Sequence, residues 1–70
     1  EKPELASHDD IERFYTHLEQ TLVTISFLNP DNPKRLMPRL RRMFGRIQLE
    51  KLEVDIWRGI LNAASKRRDE

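Results

Sequence analysis

The side chains best equipped for chemistry in this sequence are arginines. Arg35, Arg39, Arg42 and Arg46 recur at steps of four, three and four, which puts them on one stripe of a helix at 3.6 residues per turn. With Lys34 and Arg41 they make six basic residues between positions 34 and 47, and no acidic residue interrupts them. Guanidinium groups present planar, forked donors that match phosphate oxygens two at a time. A nucleic-acid backbone is the natural partner for such a run. Catalytic chemistry finds much less support. There is no cysteine, hence no thiolate nucleophile, disulfide or thiolate metal site. Two glycines cannot build a Gly-rich phosphate cradle, and no strand–turn–helix serine is present. His8 and His17 are nine residues apart, half a turn out of phase on a helix, so they do not form a metal pair. Glu12 and Glu19 read as solvated helix charges rather than an acid/base pair. The sequence therefore assigns no catalytic residue, no metal ligand and no cofactor to this chain.

The elements that must position the arginines follow from hydrophobic spacing. Residues 1–7 read as a tail. Ser7 is an N-cap, Asp9, Asp10 and Glu12 suit a helix N-terminus, and Ile11, Phe14, Tyr15, Leu18, Leu22 and Ile25 recur at helical spacing. Helix one is predicted over 8–26. Asn29-Pro30-Asp31-Asn32-Pro33 is turn chemistry. Asn32 is predicted to cap helix two, with Pro33 as its first residue. Helix two runs to Phe44, and Gly45 stops it. Pro38 conflicts with that span and implies a kink or a later start. Helix three is predicted from Gln48 or Leu49 to about Ser65, with Leu49, Leu52, Ile56, Ile60, Ala63 and Ala64 as its main apolar stripe. Val54, Trp57 and Leu61 widen that stripe beyond one core face, which marks them as a possible interface. Gly59 sits mid-helix. No alternating strand pattern occurs. The expected fold is all-α, a compact three-helix domain over residues 8–66, with residues 67–70 as a second tail.

Seventy residues with a net charge of +1 make one domain with a small core. The charge is unevenly spread. Residues 1–33 carry two basic and seven acidic side chains, residues 34–47 six basic and none acidic, and residues 48–70 five of each. Two readings follow. The basic segment meets RNA or DNA phosphates, which it would position rather than read, since Phe44 is the segment's one aromatic and belongs to the core. Alternatively its arginines pair with acids of helix one or of another domain, and the chain is a protein–protein interaction or dimerisation module without nucleic acid.

Longer motifs favour the first reading. Phe14-Tyr15-Thr16-His17-Leu18-Glu19 resembles F-Y-x-H-L-E, residues 32–44 resemble N-P-x-x-L-M-x-R-L-R-R-[LM]-F, and Ile56-Trp57-Arg58-Gly59-Ile60-Leu61 resembles I-L-R-G-I-L. Their order and spacing over residues 8–62 resemble the C-terminal extension of the TrmJ-type tRNA 2′-O-methyltransferases. The resemblance implies a parent enzyme with an N-terminal knotted SPOUT domain that binds S-adenosylmethionine, forms a homodimer and methylates the first pyrimidine of the anticodon loop in the cytoplasm. The helical extension would help hold tRNA, and the catalytic residues would lie outside this chain. The resemblance matches at Arg39, Arg41, Arg42 and Arg58, which become the preferred RNA contacts, followed by Lys34, Arg35 and Arg46. It departs at Pro38 and at Trp57, where a leucine is expected.

Overall fold

The computed structural model describes residues 2–69, and their side chains as far as Arg67. Three helices follow in order: α1 (His8–Thr24), α2 (Leu36–Phe44) and α3 (Lys51–Asp69). The fold is the all-α, three-helix domain expected.

Local chemistry sets each boundary. At α1, the Ser7 hydroxyl accepts from the Asp10 amide at 3.0 Å, and the Asp10 carboxylate accepts from the Ser7 amide at 3.1 Å. This reciprocal box satisfies two donors that helix geometry leaves unpaired. The helix ends at Thr24, two residues short of the predicted end, with Ile25 as its C-cap, because Ser26 takes a left-handed φ of 66°. The Phe27 and Leu28 amides then both donate to the Leu22 carbonyl at 2.9 Å.

Helix α2 starts three residues later than an Asn32 cap would allow. Asn32 instead closes a turn, its amide donating to the Asn29 carbonyl at 3.0 Å. Lys34 and Arg35 follow with left-handed φ angles of 53° and 59°. The reason is Pro38. Deep in a helix it would lack a needed N–H and its ring would meet the carbonyl of residue 34. A start at Leu36 makes it the third helical residue, where no N–H has an intrahelical partner.

Helix α3 also begins later than predicted. The Ala6 amide donates to the Leu49 carbonyl (2.9 Å) and the Lys51 amide to the Glu4 carbonyl (2.8 Å), pairing Leu5 with Glu50 in an isolated antiparallel bridge. The predicted tail 1–7 is thus pinned at Glu4–Ala6 to the start of α3. The Glu53 carboxylate accepts from the Glu50 amide at 2.8 Å and fixes that start. At the other end α3 continues to Asp69, so residues 67–69 of the second predicted tail are helical. Glu1 and Glu70 lie outside the described residues.

Phe14, Tyr15 and Leu18 of α1, Phe44 of α2, Leu49, and Val54 and Leu61 of α3 form the core. Phe44 plugs it edge-on, with ring centroids 5.2 Å from Phe14 and 5.6 Å from Trp57. Edge-to-face aromatic pairs add to their area burial. The α3 assignment is therefore corrected. Val54 and Leu61 are buried, so they form no exposed interface, whereas Trp57 packs one side of its ring against the core aromatics and stays 36% exposed. Of the predicted core stripe, Leu49 does enter the core, just before α3 begins, but Leu52, Ile56 and Ile60 lie on the outer face, 72%, 62% and 52% exposed. One helix with two apolar faces buries whichever faces the aromatic cluster.

Candidate nucleic-acid interface

Arg39 and Arg42 project from α2, and Arg46 follows one residue beyond its Gly45 cap. The three line a single open groove whose remaining walls are Leu36, Leu40 and Met43. Arg35 is the left-handed N-cap residue of α2 and Lys34 precedes it, so neither continues a helical stripe; both are exposed. Among the described residues, none of Lys34, Arg35, Arg39, Arg42 and Arg46 pairs with a carboxylate. Five cations therefore stand unneutralised along α2 and its two ends.

The other two predicted contacts are engaged within the fold. The Arg41 guanidinium donates two bonds to the Glu12 carboxylate, at 3.0 and 3.1 Å. It also lies 4.5 Å from the Tyr15 ring centroid, within cation–π range. The bonds from Arg41 hold the Glu12 carboxyl below its usual range, and the same contact raises Arg41. Burial pushes the Tyr15 phenol up. Arg41 thus ties α2 to α1, with the Tyr15 hydroxyl donating toward the Arg41 carbonyl at 3.5 Å. Arg58 ties α3 to α1: its Nε donates to His17 Nδ1 at 3.0 Å. Burial first, then the Arg58 charge, holds His17 below its ordinary value, while an Asn62 hydrogen bond works the other way. The acids of α1 therefore neutralise one member of the basic run, Arg41, and leave the groove open.

Sequence spacing missed one part of this surface. Phe27, Asn29, Asn32, Pro33 and Lys34 border a second hollow that shares Leu36 and Arg39 with the groove. These residues lie in the interhelical turn, where no periodicity marks a face. The available signal was an aromatic residue beside two asparagines.

Fold and surface together define a small all-helical domain with an open cationic groove; among the described residues there is no cluster of metal-ligating side chains and no helix long and apolar enough to cross a membrane. Comparison with known proteins supplies the family. The model for the tRNA methyltransferase TrmJ C-terminal domain matches residues 9–70, and the chain belongs to that family. A tRNA (cytidine/uridine/adenosine-2′-O-)-methyltransferase TrmJ of Pseudomonas aeruginosa is 51% identical over 63 residues, covering 90% of this chain and 24% of the relative. The tRNA (cytidine/uridine-2′-O-)-methyltransferases TrmJ of Pectobacterium atrosepticum and Cronobacter sakazakii are 48% and 45% identical over 62 residues, each covering 89% of this chain and 26% and 25% of the relative. The chain spans about a quarter of the length of these curated relatives.

Proposed function

We propose that this chain is the tRNA-holding domain of an S-adenosylmethionine-dependent tRNA 2′-O-methyltransferase. In this reading the cofactor pocket, the catalytic groups and a homodimeric SPOUT core belong to the rest of the parent. The target is the first pyrimidine of the anticodon loop, and the setting is cytoplasmic. The observation that carries the reading is the set of five unpaired cations along α2. No carboxylate among the described residues neutralises them, and the forked donors of the four arginines suit phosphate oxygens. Arg39, Arg42 and Arg46 supply the track; Lys34 and Arg35 extend it past the N-terminus of α2.

The proposal is tested by methylation of tRNA by the parent enzyme with and without this segment, at saturating S-adenosylmethionine. A domain that positions substrate raises KM for tRNA on removal more than it lowers kcat. An unchanged KM contradicts the proposal.

A further inference from the structure

Phe27 is 68% exposed, unusual for a ring with no polar atom. The backbone keeps it there. Its amide and that of Leu28 are both held by the Leu22 carbonyl, and Leu28 is buried at 4% exposure, so the turn is anchored with the ring outside. The ring borders a hollow of about 340 Å³ with Asn29, Asn32, Lys34 and Arg39. The Asn29 side-chain oxygen already accepts from the Asp31 amide at 2.9 Å, which leaves its NH₂ donors for a ligand. We infer that this hollow receives one unpaired RNA base, stacked on Phe27, with its edge on the two asparagine amides. The neighbouring phosphate then meets Arg39, the residue common to hollow and groove, and the strand continues past Arg42 toward Arg46. Duplex RNA cannot supply the base, because its rings are stacked on one another.

This inference rests on the RNA-binding reading and is tested apart from it. A stem–loop RNA and a blunt duplex of equal charge are titrated into the chain and into Phe27→Ala and Phe27→Trp variants, with thermal melts to verify folding. Loss of one base–aromatic stack weakens stem–loop binding by roughly 5- to 150-fold. Phe27→Ala should lose that much on the stem–loop and nothing on the duplex, with its salt dependence unchanged, and Phe27→Trp should retain stem–loop affinity. A folded Phe27→Ala variant that binds the stem–loop as tightly as the parent chain overturns the stacking site alone. A chain that binds neither RNA overturns the RNA reading with it.

A second, independent observation concerns α3. At about 100° per residue, Leu52, Ile56, Gly59 and Ala63 fall on one ridge opposite the buried Val54 and Leu61, with Ile60 at its edge. Asp55 borders the ridge on one side with Lys66 further along. Glu53 and Arg67 do the same on the other. The structure points to antiparallel pairing of this ridge with a second copy of the chain, about a two-fold axis near Ile60. That axis sets Ile56 against the small Ala63 of the copy, and places Asp55 opposite Lys66 and Glu53 opposite Arg67. Isologous contacts require this self-complementarity. Glu4, Glu50 and Asp55 line one hollow with a single cation, Lys51, so the charge where Lys66 of the copy would arrive is net negative. One helix pair is a small interface, so the association is weak. Sedimentation equilibrium at about millimolar protein should show twice the 8.4 kDa chain mass. Asp55→Lys alone and Lys66→Glu alone should each shift toward monomer, and their mixture should restore the dimer. A monomeric parent chain, or variants that dimerise like it, overturns this pairing.

Discussion

Arg41 and Arg42 are neighbours in sequence and opposites in role. A rotation of about 100° turns Arg41 back onto Glu12 and Tyr15 and turns Arg42 out into the groove. Family resemblance favoured both equally as RNA contacts, because a motif records residue type and not partner. Arg58 repeats the lesson, since its acceptor, His17, lies 41 residues away in the chain. That contact carries a pH dependence. Arg58 can donate to His17 Nδ1 only while that nitrogen is unprotonated, and burial also disfavours the cation. The folded state therefore binds a proton less readily than the unfolded chain, whose histidine has its ordinary value of 6.5. The His17 contribution is fully present above that value and is lost as pH falls from it toward the lower folded value. Melting temperature should fall between about pH 7.5 and pH 5.5, and His17→Gln should reduce that fall. An equal pH dependence in the variant would contradict the role given to this contact. Asp10 and Glu12 act in a lower window. Bonds from Ser7 and from Arg41 respectively depress these carboxyls, so their contribution is present above the usual carboxylate range and is lost on acidification through it.

At the scale of elements, the helices were legible and their faces only partly so. Ser7 announced α1 and Gly45 announced the end of α2, because caps are local chemistry. Pro38 signalled the late start of α2, although the residue that begins it, after two left-handed cations, could not be read from composition. The inward face of α3 was not legible. Its two apolar stripes are equally strong as patterns, and the choice belongs to Phe14 and Phe44, which are distant in sequence. The two glycines separate local from tertiary demands. A Cβ on Gly45 would sit 2.9 Å from the Arg41 carbonyl oxygen, whereas one on Gly59 would meet nothing within 4 Å. Gly59→Ala should stabilise the dilute chain by up to about 1 kcal/mol through helix propensity, or about 4–8 °C for a domain of this size. Gly45→Ala should destabilise it. Thermal denaturation of both variants checks the contrast, and a stabilised Gly45→Ala chain would refute the steric argument.

At the scale of the molecule, folding keeps the charge separated as it is along the chain. The acidic first helix takes one arginine of the basic run, through Glu12, and the rest of that run stays open along α2. The cationic segment was readable from the sequence, but its shape was not. The four-arginine stripe was drawn at helical spacing from Arg35 to Arg46, past both ends of the helix that forms, and only Arg39 and Arg42 of the four lie on α2. Arg46 still reaches the same groove, from the turn after Gly45. The most direct test of that groove is tRNA binding by the chain and by its Arg39→Gln, Arg42→Gln double variant as a function of salt. Neither arginine has an ion-pair partner among the described residues, so the variant should melt like the parent. The parent chain should bind with Kd of roughly 10⁻⁴–10⁻⁶ M. The variant should bind more weakly, with a log–log salt slope shallower by about 1.4–1.8, the counterions of two lost phosphate contacts. A folded double variant with the parent's affinity and the parent's slope would contradict the assignment of this groove to the RNA backbone.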